Sequence, residues 1–110
     1  VAAKIYKRRQ NMNVKTTVDG KKTYMAVSGS IDIPGAERLK KSLTKVLESD
    51  SNEIVIDFEE VNFIGSSGIG KLLLFYKNFT AKGGRISITN LNKEITMLFK
   101  AIKLDKLFNI

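Results

Sequence analysis

The chain has 110 residues with a formal net charge of +8, no cysteine and no histidine. That length predicts one domain, large enough to fold on an apolar core without metal or disulfide support. The missing residue types exclude a disulfide framework, thiol chemistry, histidine acid–base catalysis and the usual zinc sites. A cysteine-free composition fits a cytoplasmic protein, and no apolar run approaches the roughly 18 residues of a membrane span.

Residues 1 to 11 contain Lys4, Lys7, Arg8 and Arg9 and lack the apolar centre of a signal peptide. They read as a solvated basic tail or linker, with Met12 as a plausible native start, rather than as a nucleic-acid contact. The domain proper is expected over 12–110. Asn13 to Val18 and Lys22 to Val27 read as two strands, and Asp19-Gly20 between them is a hairpin signal, because a tight turn needs positive φ. Residues 29–35, Gly-Ser-Ile-Asp-Ile-Pro-Gly, are expected as a loop. A helix follows over Ala36 to Ser49, with an apolar stripe of Ala36, Leu39, Leu43, Val46 and Leu47.

Glu53 to Phe58 is the most strand-like run. Ile54-Val55-Ile56 without alternation predicts a strand buried on both faces. A second helix is expected over Ser67 to Ala81, with Ile69, Leu72, Leu73, Tyr76 and Phe79 inward and Gly83-Gly84 as its stop. Arg85 to Thr89 is a further strand. Lys93 to Ile102 is a third helix with the stripe Ile95, Leu98, Phe99 and Ile102, and residues 104–108 form a last short turn. The order β-β-α-β-α-β-α implies crossover connections and parallel strand pairs. No internal repeat is evident.

The most informative stretch is V-N-F-I-G-S-S-G-I-G at 61–70. A strand leads into it and a helix leads out, with Ser66 and Ser67 set among glycines. A serine at or near a helix N-cap can bond exposed backbone N–H groups. A phosphate there is favoured by the same N–H groups and by the helix dipole. The stretch is not a nucleotide-binding loop: there is no G-x-G-x-x-G, and Lys71 is followed by Leu72 rather than Ser or Thr. Among the carboxylates, Asp57, Glu59 and Glu60 read as solvated surface. Asp32 is different, because its loop follows a strand that can neighbour the strand ending at Phe58, which would set Asp32 beside Ser66. With no nucleophile–base pair in view, an enzyme is not expected. No cofactor or metal is expected either.

Four blocks in order, V-S-G-S-I-D at 27–32, V-I-D-F-E-E-V-N-F-I at 55–64, S-S-G-I-G at 66–70 and L-D-K-L-F at 104–108, resemble the anti-sigma factor antagonists, which are single STAS domains. The resemblance covers Asn13 to Ile110. It implies an α/β fold with a small mixed sheet of about four or five strands and helices mainly on one face. It implies a partner switch: the unmodified protein binds an anti-sigma factor that is also an ATP-using serine kinase, and a PP2C-type phosphatase reverses the mark. By position the accepting serine resembles Ser66, with Ser67 as the alternative. Asp32, Gly65, Ser67, Gly68 and Ile69 form its surroundings. The family usually has aspartate where this chain has Gly65. Other STAS domains are not phosphorylated and serve as docking subunits of transporters, lipid-transport complexes or stress-sensing assemblies.

Overall fold

A computed structural model describes residues 12–110; the basic segment 1–11, and the tail expected there, lie outside the described residues. The elements are strands β1 (Asn13–Asp19) and β2 (Lys22–Ile31), helix α1 (Ile33–Glu48), strand β3 (Glu53–Ile64), helix α2 (Ser66–Ala81), strand β4 (Arg85–Thr89) and helix α3 (Lys93–Ala101). They form one sheet in the order β1-β2-β3-β4. β1 and β2 pair antiparallel, with Asp19 opposite Lys22 and Gly20 at φ 62° in the turn. β2–β3 and β3–β4 are parallel, and each is bridged by a helix. The expected order and mixed α/β architecture are therefore those of the molecule.

Period-2 alternation divides the sheet into two faces. Thr23, Met25, Val27, Ile54, Ile56, Phe58, Ile86 and Ile88 are buried on one face, under the helices. Tyr24, Ala26 and Thr89 are exposed on the other, and Val55 is only half-buried there. The expectation that β3 is buried on both faces is thus corrected. Its inner residues are covered, and Val55 owes its partial cover to neighbouring strands rather than to a second layer.

The stripe of α1 is buried as expected at Ala36, Leu39, Leu43 and Val46. In α2 the fully covered side chains are Leu72, Phe75 and Phe79, with Ile69, Leu73 and Tyr76 packed at the margin. Phe75 and Phe79 stack with ring centroids 4.9 Å apart. In α3 only Ile95 and Phe99 are buried; Leu98 and Ile102 are 36% and 43% exposed. Ile102 falls just past this nine-residue helix, at its C-cap, and Leu98 lies within it but outside the buried stripe of Ile95 and Phe99. The chain end compensates. Phe108 is fully buried, meets Phe99 and Tyr76 edge-on, and accepts a hydrogen bond at its carbonyl from the Ile88 N–H at 2.9 Å. Burying a side chain of this size contributes about 1.5–3 kcal/mol.

Two strands run further than expected. β2 continues through Gly29 and Ser30 to Ile31, and β3 continues past Phe58 to Ile64. The pairing steps from Ala26/Asp57 to Ser28/Glu60 and from Gly29/Val61 to Ser30/Phe63, so β3 carries an extra residue at each of two bulges. These bulges bring the two strand ends level: Ile31 lies opposite Ile64.

Candidate functional site

Because Ile31 and Ile64 are level, the helices that follow them begin side by side. The Gly65 N–H donates to the Ile31 carbonyl at 3.0 Å. Asp32 and Ser66 therefore flank a bonded pair at the C-terminal ends of neighbouring parallel strands. Open α/β sheets commonly present their functional groups at that edge.

At α1, Asp32 is the N-cap. Its carboxylate accepts from the Gly35 N–H at 2.9 Å, and its carbonyl accepts from the Ala36 N–H at 2.8 Å. At α2 the N-cap is Gly65, with φ −98° and ψ −179°, and no side chain caps the helix. The Gly65 carbonyl accepts the first helical bond from the Ile69 N–H at 3.1 Å. The serine expected at or near the N-cap is therefore next to the cap rather than at it. Ser66 is the first helical residue and is exposed, and Ser67 is the second and is half-buried. The free N–H groups of this first turn have neither a side-chain cap nor an acidic residue to offset them.

Gly68 is buried, and a Cβ there would lie 2.5 Å from Ile31 Cγ2 and 2.9 Å from Ile64 Cγ1. The glycine lets α2 start directly over the strand ends, which fixes where Ser66 emerges. Gly35 does the same for α1, since its Cβ would lie 2.6 Å from the Ser30 carbonyl oxygen. Gly65 is under no such constraint: its Cβ would meet the Phe63 ring at an ordinary 3.5 Å.

The rim around Ser66 contains two features that the residue pattern did not single out. Ile33 is 72% exposed and Phe63 is 51% exposed. Their signal was available: Ile33 precedes Pro34 at a helix start, and Phe63 falls out of phase with buried Val61 and Ile64. Ser30 Oγ donates to Asn62 Oδ1 at 2.9 Å and ties the two strand ends together. One turn into the helices, Lys71 of α2 pairs with Glu37 of α1 at 3.1 Å. The Lys71 ammonium, through its hydrogen bond and its charge, holds the exposed Glu37 carboxyl below the ordinary glutamate range.

Asp57, Glu59 and Glu60 are not part of this edge. Asp57 Oδ1 accepts from the Glu59 N–H and from Asn90 Nδ2, on the open face of the sheet. A cavity of ≈ 340 Å³ beside these carboxylates and another of ≈ 300 Å³ between β1 and α1 both lie away from Ser66. Ser66 is exposed and lines neither cavity. No described helix is long and apolar enough to cross a membrane.

The comparisons with known proteins agree with this architecture. Anti-sigma-B factor antagonists from Staphylococcus aureus (strain NCTC 8325 / PS 47) and Bacillus subtilis (strain 168) are each 24% identical over 100 residues. The first match covers 91% of this chain and 93% of the relative, the second 91% of each. An anti-sigma factor antagonist from Mycobacterium paratuberculosis superposes with a TM-score of 0.80 at 23% identity, covering 90% of this chain and 84% of that one. The Bacillus cell fate determinant SpoIIAA in its phosphorylated form gives 0.71 at 20% identity, covering 86% and 87%. Its unphosphorylated form gives 0.77 at 18% identity, covering 86% and 84%. The STAS domain pattern itself matches residues 11–110, and the chain belongs to the STAS domain family.

Proposed function

We propose that this protein is an anti-sigma factor antagonist that works by partner switching, with Ser66 as the phosphorylated residue. One observation carries the reading: Ser66 is exposed at the first position of an uncapped helix, on a rim that also exposes Ile33 and Phe63. Two large apolar side chains around a hydroxyl suit a protein surface better than a small substrate. The names of the relatives supply the partner class, an anti-sigma factor, and SpoIIAA supplies a structural neighbour that exists in a phosphorylated form.

In the unmodified state the Ile33–Phe63 rim docks on an anti-sigma factor that is also an ATP-using serine kinase, and the sigma factor is freed. Within that complex the Ser66 Oγ attacks the γ-phosphorus of ATP. The bond from that phosphorus to the bridging oxygen breaks, ADP leaves, and the hydroxyl proton passes to a base of the kinase. The product carries close to two extra negative charges at neutral pH. The first turn of α2 accommodates them, so the fold is kept. The partner surface is not so accommodating, because a phosphate buried beside the Asp32 carboxylate must be desolvated against a like charge. A PP2C-type phosphatase removes the group and resets the cycle. The protein performs no catalysis in this scheme and works in the cytoplasm with its kinase.

Incubation with the cognate kinase and ATP, followed by mass spectrometric mapping, tests this reading. Phosphate on Ser66, and its loss in Ser66→Ala, is the expected result. Undiminished modification of Ser66→Ala directs the assignment to Ser67, and no modification of either serine removes the switch. Gly65 favours a second reading, a STAS docking subunit of a transporter, lipid-transport or stress-sensing complex that is never phosphorylated. The site then lacks the acid usual before the serine because no kinase reads it. A stable complex that survives treatment with kinase and ATP distinguishes that case.

A further inference from the structure

The face of the sheet away from the helices has a pattern that the switch does not use. Strand register sorts its outward residues into rows running across β1, β2, β3 and β4. The row at the hairpin end is Asp19, Lys22, Glu53, Arg85. Its signs alternate, negative, positive, negative, positive. Glu53 contacts both of its neighbours, with Lys22 Nζ 3.7 Å and Arg85 Nη2 3.1 Å from its carboxylate. The next row is Thr17, Tyr24, Val55, Ser87, in which Tyr24 is 42% exposed. The third is Lys15, Ala26, Asp57, Thr89. No described element covers these rows.

We infer that this face pairs with the same face of a second copy of the chain. A two-fold axis parallel to the strands, passing between β2 and β3, keeps each row level and reverses its order. Asp19 of one copy then meets Arg85 of the other, and Lys22 meets Glu53, so all four contacts of the row join opposite charges. In the next row Tyr24 packs on Val55, twice, and Thr17 meets Ser87. Self-complementarity of this kind is what an isologous interface requires. Packed sheets cross at about −30° and lie about 10 Å apart, which Lys, Arg, Glu and Tyr side chains can span.

The area sets the strength. Four strands by about seven residues give about 450 Å² on each copy, or about 900 Å² in all. That is at the low end for specific association, so the dimer is weak and concentration-dependent. The charged row lies at the starts of β2, β3 and β4, the opposite end of the sheet from Ser66. Pairing therefore leaves the Ile33–Phe63 rim of both copies open.

Sedimentation equilibrium of the full chain from about 10 μM to 1 mM tests the assignment, at a dissociation range typical of weak contacts. A monomer–dimer equilibrium is expected, weakened at least tenfold by Arg85→Asp, by Asp19→Lys and by Tyr24→Glu, each checked for folding by circular dichroism. Mixing the Arg85→Asp and Asp19→Lys proteins restores association as a heterodimer, because each then meets an opposite charge at both outer positions. A chain that stays monomeric to 1 mM overturns the proposal. A dimer indifferent to Arg85→Asp and Tyr24→Glu, or variants that do not rescue one another, overturns it equally.

Discussion

The two helices that start at the functional edge are built on one frame and finished differently. Ile31-Asp32-Ile33-Pro34-Gly35 and Ile64-Gly65-Ser66-Ser67-Gly68 each run from a buried strand end through an N-cap to a buried glycine three residues on. In both the glycine permits close approach of the helix to the layer beneath. At α1 the cap is a carboxylate that bonds the first turn, and the next position is an exposed isoleucine. At α2 the cap is bare, and the next position is an exposed serine. The first end is electrostatically closed and can only contribute contact. The second is open, so an anion added at Ser66 satisfies the helix while altering what the surface presents. A stable scaffold and a changeable surface are thereby separated over two adjacent residues of the rim.

The largest expected effect breaks the comparison at its open end. Ser66→Asp should weaken binding to the anti-sigma factor by at least about a hundredfold, or about 3 kcal/mol, in calorimetric titration, while leaving the melting temperature close to that of the parent. Next comes the shared glycine. Gly35→Ala forces a methyl against the Ser30 carbonyl and should cost about 1–3 kcal/mol in urea unfolding, whereas Gly65→Ala meets its neighbours at ordinary contact distances and should cost much less. Removing the closed end's cap with Asp32→Ala should cost about 1 kcal/mol, and Asp32→Asn should retain most of it. Giving the open end a cap with Gly65→Asp, at a backbone geometry any residue adopts, should stabilise by a few tenths of a kcal/mol.

The smallest effect concerns the bridge between the helices. The folded-state pKa of Glu37 is depressed, so its pairing with Lys71 supports the fold above the ordinary glutamate range of about 4.3 and is lost as pH falls through the folded value. A carboxyl-carbon NMR titration should show Glu37 below that range, and Lys71→Gln should return it. The exposure of the pair keeps the stability change slight.

Local signals in the chain were enough for the element order. Asp19-Gly20 marked the hairpin, and the stripe of α1 gave its buried face. What local signals did not carry was how far β2 and β3 extend. Glu59 and Glu60 read as solvated surface beyond a strand ending at Phe58, yet they belong to a strand whose outer side faces water, and the bulges that realign Ile31 with Ile64 depend on pairing across about thirty residues. The same pairing determines that Gly65, not a serine, caps α2. Asp32 and Ser66 were legible as residues of interest from their place in the V-S-G-S-I-D and S-S-G-I-G blocks. Ile33 and Phe63 left only indirect signals, a position before Pro34 and a break in phase, since exposure of an apolar side chain is a property of the assembled edge.

The hydrogen bond from the Ile88 N–H to the Phe108 carbonyl has a bearing on misassociation. β4 is an edge strand, and an edge with free N–H and C=O groups is a template for any other extended chain. Here the chain's own C-terminal turn occupies part of that edge and anchors itself with a buried phenylalanine. Loss of the last few residues would therefore do more than open a gap in the core. It would uncover a sticky strand margin beside exposed apolar side chains, and the shortened protein should be lost to aggregation before it is lost to unfolding.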